Sequence, residues 1–449
     1  MENKTIKSSL LSVILFIIIL SLVYSVQNMI SPNLEIISYY FGFEGRTAEL
    51  GVLTSTFTII TGFSVILFGY LADKITRKWI VLLGTLIYSI FSIFIIFVSP
   101  NIRGYYLFFF LTSMNGVGFG AIIPSIFSLI GDLVSKDDRS KGFSFFSIAS
   151  LLGMAFGLII ATIAGPIDWR LSYLIVGILG LVNTCIILFF REPSRIGKDN
   201  LFLLDKQAVD YTYRIKKSDL KEIFKKKSNV WLIINFVDTI PTGIILFLIF
   251  YYMSDYHNVP EDITLVFLGT ILLSTLIGTI IFGFIGDNLF KKGKKKARVL
   301  LALIGNVVPI PFVFIALIIP FEAPDNVSVG ELFAIPGALI MVILMMVAMF
   351  TNGAVNGSWY ATVVDLNLPE HRGTTLATAN FFDIIGRSLG PLIGAFVRDL
   401  YGSVYGMMMS IIAFIALPFF WIPILKNVIP EMEATEKVFI ERISQLKET

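Results

Sequence analysis

Three charged residues lie deep inside apolar stretches of this sequence. Asp238 falls in the run 228–254, and Asp383 and Arg387 fall in 373–398. At 1.5 Å per helical residue, Asp238 stands ~15 Å from the start of its run, near the middle of a bilayer. An ion facing hydrocarbon costs several kcal/mol, so charges at that depth point to a substrate, an ion or a proton. Asp238 has no base nearby in its own run, and desolvation favours its neutral form; it reads as a proton carrier. Asp383 and Arg387 are four apart with the acid first, the favourable order for a helical pair. Arg387, oriented by Asp383, reads as a contact for an anionic group of a substrate; the alternative is a self-neutralised structural pair. Pro241 should break or bend the helix that holds Asp238. Gly386, Gly390-Pro391 and Gly394 permit close packing and a kink around the second pair.

Other chemistries lack their residues. The single cysteine, Cys185, excludes an intramolecular disulfide and a cysteine-clustered metal site. His257 and His371 both fall in loops, with no zinc-ligand spacing. No nucleophile–base pair, phosphate-binding loop or metal cluster is present, so neither an enzyme nor an ATP-driven pump is expected, and no cofactor. The net charge of +3 implies no nucleic-acid partner.

The elements that hold these charges follow from composition. Of 449 residues, 56% are hydrophobic and 15% charged, against roughly 25% charged in soluble proteins. The mean hydropathy of +0.82 leaves too few polar residues to cover a water-soluble globule. Twelve stretches approach the ~20 residues of a membrane span: 8–30, 49–72, 79–98, 104–133, 140–165, 171–190, 228–254, 263–286, 297–320, 332–364, 373–398 and 403–425. The first is too long for a signal-peptide core and lacks a small-residue cleavage site, so it reads as a retained span. The expected fold is an all-α integral membrane protein with twelve transmembrane helices.

Basic residues set its orientation, because cytoplasmic loops carry excess Lys and Arg. With the N-terminus inside, 30 of the 35 lie on inner segments and four on outer loops, so both termini are cytoplasmic. The charge-dense GYLADKITRK, Gly69 to Lys78, then closes span two on the inner side. Positive-inside accounts for its bases and leaves Asp73 to be explained.

The spans divide six and six. Residues 1–190 and 228–426 form the two bundles, 191–227 the cytoplasmic linker and 427–449 a cytoplasmic tail. Within the linker, SDLKEIFKKK signals a short amphipathic helix with Ser218 as N-cap and Leu220, Ile223 and Phe224 on one face. The halves repeat. Gly69, Asp73 and Arg77 recur in spacing as Gly283, Asp287 and Lys291. Asp132 and Arg139 recur as Asp365 and Arg372, 233 residues on; the same offset relates Gly120 to Gly353, Ser125 to Ser358, Gly153 to Gly386 and Gly157 to Gly390.

Two parallel six-span repeats around a central linker, with GYLADKITRK and its weaker copy GFIGDNLFKK, resemble the major facilitator superfamily. FGYLADKITRK, GDLVSKDDRSKGFS, the DWR of Asp168-Trp169-Arg170 and REPSR are similar to the Spinster-like lipid transporters, over about the first 195 residues. The resemblance implies a gate latch. Arg77 would pair with Asp132 at the inner end of span four, and Asp73 would lie against the N-terminus of span eleven, where helix dipoles favour a carboxylate. Arg139, Asp287, Lys291, Asp365 and Arg372 belong to the same set, with Asp287 acting at the start of span five. The resemblance also implies a cavity lined by spans one, four, seven and ten, whose polar and aromatic residues are Tyr24, Gln27, Asn28, Asn115, Asn352, Asn356, Trp359 and Tyr360. Amides and rings suit a partly apolar substrate. The sequence departs from the Spinster-like pattern in span one, which is uncharged, and in span four, where Phe119 replaces a Glu; Thr112 stands where many superfamily members place an Arg. No acid near mid-span remains in the first half, and Asp238 and Asp383 are left as proton sites.

The expected function is secondary transport, by alternating access, of a small organic substrate that is amphiphilic or anionic, with protons as the coupling ion. A facilitative uniporter and a non-transporting receptor or scaffold of the same fold are the alternatives. A monomer in the plasma-membrane bilayer is expected.

Overall fold

Where lipid surrounds a chain, its backbone polar groups must be satisfied internally, and helices achieve this segment by segment. The computed structural model describes residues 2–133, 139–190, 192 and 219–448, and every regular element among them is helical. Two compact units are formed, Met1–Lys206 and Gln207–Thr449.

The first unit contains α1 (Glu2–Asn28), α2 (Leu34–Tyr40), α3 (Ala48–Lys74), α4 (Arg77–Phe94), α5 (Ile102–Leu133), α6 (Arg139–Asp168) and α7 (Arg170–Phe189). Helices α3 and α4 pack on α5, α1 on α6, and α4 on α7. The Asp168-Trp169-Arg170 motif ties one end together. Arg170 pairs with Asp168 (Nη2–Oδ2, 2.7 Å) and donates to Tyr40 Oη (3.0 Å) and the Val98 carbonyl (3.0 Å). Trp169 packs edge-on against Phe108, centroids 5.0 Å apart.

The second unit contains α8 (Asp219–Lys225), α9 (Lys227–Ile234), α10 (Thr239–His257), α11 (Glu261–Lys291), α12 (Ala297–Val307), α13 (Pro309–Ile318), α14 (Val329–Ala334), α15 (Pro336–Asn352), α16 (Ala354–Leu366), α17 (Pro369–Tyr401) and α18 (Ser403–Glu448). Helices α17 and α18 pack on α10 and on each other, α11 on α15, and α12 on α16.

The repeat in the sequence reappears as matched packing. Gly157 of α6 lies against Ser25 of α1, and Gly390 of α17 against Gly243 of α10. Gly120 of α5 lies against Thr61 and Ser64 of α3, and Gly353 against Thr275 and Thr279 of α11. A Cβ on Gly390 would sit 2.7 Å from the Gly243 backbone, so only glycine lets these helices approach so closely. Large apolar side chains such as Phe63, Ile167, Phe189, Phe284 and Leu400 point outward and are mostly exposed. In water they would aggregate; in lipid they face their natural solvent, and the chain is a multi-pass membrane protein.

Among the described residues, eleven segments are long and apolar enough to cross a bilayer, against the twelve expected. The expected span 373–398 lies inside α17, whose 33 residues carry Asp383, Arg387, Arg398 and Asp399, and it is not among the eleven. Other spans are broken. Span seven is α9, a 3-10 turn over Asn235–Asp238, and α10. Pro241, in the first turn of α10, has no N–H for the Val237 carbonyl, a loss that costs least at the start of a helix, just after the break. Span nine divides at Pro309 and span ten at Gly353.

Two expectations need correction. The tail is not separate, because α18 runs unbroken to Glu448. Its Val428 and Met432 join the apolar core of Leu232, Val299 and Val363. Glu431 accepts from the first N–H groups of α9, at Lys227 (2.8 Å) and Ser228 (3.1 Å). The histidines are not in loops: His257 ends α10 and His371 stands in the first turn of α17, both buried. In the linker helix only Ile223 is buried, while Leu220 and Phe224 are exposed. Ser218, linker residues 193–218 and the side chains of Asp73, Asp132, Arg139 and Asn356 lie outside the described residues.

Candidate functional site

The break in span seven sets out the site. The 3-10 turn leaves Asp238 at the N-terminal boundary of α10, with Asn235 Nδ2 donating to its Oδ2 at 3.3 Å. One residue on, the Thr239 hydroxyl donates to the Asp383 main-chain carbonyl at 3.0 Å and fastens the break to α17. Asp238 and Asp383 line one narrow cleft, of about 30 Å³, with Leu232, Ile233, Asn235, Trp359, Tyr360, Ala379 and Asn380. Trp359 and Tyr360 come from α16 and stand edge to face, centroids 4.8 Å apart. Trp359 Nε1 donates to the Leu232 carbonyl (3.2 Å), which fixes the indole against α9. Tyr360 Oη donates to Asn380 Oδ1 at 3.3 Å.

Arg387 lies one turn beyond Asp383, Nη2 to Oδ2 at 3.5 Å, and 44% of its side chain is accessible. At that separation the guanidinium is held by charge and remains open to a second anionic partner. Asp238, Asp383, Trp359, Tyr360 and Arg387, named from sequence, are thus brought together. Asn235 and Asn380 were missed; Asn380 stands one turn before Asp383, which was a usable signal. Asn352 instead donates to the Gly305 carbonyl (3.3 Å) and joins α15 to α12.

The first unit offers a less polar set. Tyr24 of α1 stands edge-on to Phe119 of α5 (5.0 Å), and Phe119 meets Phe57 of α3 (6.0 Å). Asn28 is satisfied locally, donating to the Tyr24 carbonyl at 2.9 Å, and Gln27 is half-buried. Asn115 lies one turn before Phe119 and is 1% exposed, yet among the described residues neither its amide nitrogen nor its oxygen has a protein partner. A buried amide in that state calls for a water or a ligand group.

A second constellation lies where the basic residues cluster. Arg298, in the first turn of α12, binds two acids. Its Nη2 meets Asp287 Oδ1 at 2.6 Å, and its Nη1 meets Asp365 at the end of α16. The guanidinium also lies over the Phe290 ring, 4.1 Å from its centroid. Lys291, matched to Arg77 by its spacing from Asp287, lies instead on the exposed last turn of α11. The base that meets both Asp287 and Asp365 is Arg298. The signal lay downstream: Arg77 stands seven before Gly84, and Arg298 seven before Gly305. Arg372 donates its Nε to the Val364 (3.0 Å) and Asn367 (3.1 Å) carbonyls and closes the turn between α16 and α17.

In the first unit Arg77 is buried at the start of α4. Its Nε donates to Glu192 Oε1 (2.9 Å) and its Nη1 to Ser128 Oγ (2.8 Å). Glu192, the acid of REPSR, also accepts from the backbone N–H of Arg77 (3.3 Å) and of Lys78 (3.0 Å), a carboxylate at a helix N-terminus. Burial works against that charge. The Lys78 N–H, the Arg77 guanidinium and the Arg77 N–H outweigh it and hold the carboxyl below its ordinary range. Sequence reasoning noted the motif and missed this role. Within its own unit, Gly69 has room: an added Cβ would meet only Pro124, at 3.7 Å, and one on Gly283 would meet nothing within 4 Å.

Comparison with known proteins agrees with this plan. A family model described as Major Facilitator Superfamily matches residues 16–329. Protein spinster homolog 1 of Xenopus laevis is 25% identical over 285 residues, which is 60% of this chain and 52% of that protein. The chain therefore spans about half the length of that relative, and 28% of the spinster protein of Drosophila melanogaster. A sphingosine-1-phosphate transporter of Xenopus tropicalis is 24% identical over 383 residues, 80% of this chain and 68% of the relative. The crystal structure of a bacterial homologue of the human lysosomal transporter Spinster aligns with a TM-score of 0.70 at 16% identity, covering 98% of this chain and 96% of that one. A nucleoside transporter aligns at 0.67 and 14% identity, covering 92% and 99%. At such identities the solved structures speak to fold alone. With two matching helical units and a family match over most of its length, the chain belongs to the Major Facilitator Superfamily of membrane transporters.

Proposed function

We propose that the chain is a secondary transporter of a small amphiphilic organic anion, working by alternating access with a proton as the coupling ion. The observation that carries this reading is the cleft where Asp238 and Asp383 meet beside Trp359 and Tyr360, with Arg387 one turn away. Two carboxylates and one guanidinium leave one negative charge uncompensated. An anion that engages Arg387 adds a second, and a low-dielectric site does not hold such an imbalance. Proton uptake by Asp238 lessens it, so anion and proton are favoured to enter together. The aromatic walls suit an apolar tail or ring. A relative named as a sphingosine-1-phosphate transporter acts on a molecule of that description, a phosphate on an apolar chain.

The bridge from Arg298 to Asp287 and Asp365, and the hold of Glu192 on Arg77, support reading both inner ends as gate elements. Asp73, Asp132 and Arg139 are assigned to the same gate from sequence. We place both termini in the cytoplasm of a plasma-membrane protein acting as a monomer, on the distribution of Lys and Arg.

Uptake of labelled anionic amphiphiles into proteoliposomes tests the reading, wild type beside Arg387→Ala. Saturable uptake with at least a tenfold higher half-saturation concentration in Arg387→Ala is expected. Uptake that Arg387→Ala leaves unchanged removes the anion site.

A further inference from the structure

The linker helix and span eleven meet at a cluster outside the cleft proposed for transport. Asp219 and Glu222 are three apart on α8 and share a face. His371, in the first turn of α17, is 1% exposed, and its Nε2 lies 3.6 Å from Asp219 Oδ2. One ligand atom from each of the three residues falls within 4.8 Å of the others.

We propose that Asp219, Glu222 and His371 form a site for one divalent ion of the zinc class, which fastens the linker helix to the start of span eleven. The spacing carries the argument. A nitrogen and an oxygen 3.6 Å apart are too far for a good hydrogen bond. Two ligands of a tetrahedral ion, each about 2.0–2.1 Å from the metal, stand about 3.4 Å apart. Glu222 is exposed, which leaves its side chain free to adjust and water a path to the ion. One imidazole and two carboxylates suit Zn²⁺, Co²⁺ or Mn²⁺ better than Mg²⁺ or Ca²⁺, which prefer oxygen alone. Three protein ligands leave a position for water. Sequence reading missed the set because the histidine and the acids lie on helices far apart in the chain, with no local spacing to betray them.

The ion would join α8 to the helix that carries Asp383 and Arg387. Its occupancy is independent of what the cleft binds, so the site can fail or stand apart from the transport reading. The test uses tag-free, full-length protein in detergent; the chain has only two histidines and one cysteine, so background binding is low. Equilibrium dialysis against Zn²⁺ should give one ion per chain. Affinity should fall at least tenfold in His371→Gln and, separately, in Glu222→Gln, whose exposed position spares the fold. Co²⁺ should give visible d–d absorption that Zn²⁺ displaces. No saturable Zn²⁺ binding by the wild type, or binding that Glu222→Gln and Asp219→Asn leave unchanged, would overturn the site.

Discussion

Asp238 and Asp383 face the same cleft although they come from different spans, one from the break in span seven and one from the middle of span eleven. The Thr239 hydroxyl, bonded to the Asp383 carbonyl, holds the two segments in register. Gly243 and Gly390 then let α10 and α17 touch backbone to backbone one and two turns further on.

That contact can be tested alone. Gly390→Ala forces a methyl into the Gly243 backbone and should cost roughly 1–3 kcal/mol by overpacking. Gly69→Ala and Gly283→Ala have room within their own units and should unfold at the wild-type temperature. If Gly69→Ala keeps its stability and loses transport, the motif glycine serves the gate and not the packing of its unit. Thermal unfolding in detergent, beside uptake, separates the two.

Arg298 should matter more than any lysine around it. Arg298→Ala strands Asp365 at a half-buried position and should destabilise the second unit by roughly 1.5–3 kcal/mol, as for lost hydrogen bonds to a charge. Lys291→Ala should stay within about 0.5 kcal/mol of wild type. Arg298→Lys should recover only part, since an ammonium lacks the planar fork that meets two carboxylates. Equal losses for Arg298→Ala and Lys291→Ala would restore the match made from spacing.

Glu192 predicts a pH dependence with a definite sign. Its carboxyl is held below the ordinary value of 4.5, so its stabilising contribution is present above that pH and fades as pH falls through the lowered value. Glu192→Gln should therefore cost stability at pH 7, by roughly 1–3 kcal/mol, and its deficit should hold down to the ordinary value of 4.5 and shrink below it. A deficit that is constant with pH would mean the carboxylate charge contributes nothing.

Composition made the helical class and the membrane solvent legible. The offset of 233 residues made the repeat legible, and packing at Gly157 and Gly390 reproduces it. The intramembrane charges were legible because nothing else explains an acid in an apolar run. What stayed hidden depends on segments that break or continue against local pattern. Hydropathy does not show that span seven breaks just before Pro241 and turns Asp238 into a cleft. Nor does it show that α18 continues past the bilayer so that Glu431 caps α9. Arg298 was hidden because spacing was counted from the acid, across an inserted run of lysines, and not back from Gly305. Glu192 and His371 act on helix starts distant in sequence, and no local spacing announces that kind of contact.

Proton coupling through Asp238 is the central claim, and one comparison bears on it most directly. Wild type and Asp238→Asn are reconstituted side by side, and substrate uptake is followed with and without an imposed pH gradient, together with exchange of substrate at equal pH. Asparagine keeps the shape of the side chain and the bond from Asn235 can be remade by rotation, so the cleft should survive. The account predicts that Asp238→Asn loses gradient-driven accumulation and retains exchange. Undiminished accumulation by Asp238→Asn under the same gradient would contradict it, and would leave facilitated diffusion or a different coupling ion in its place.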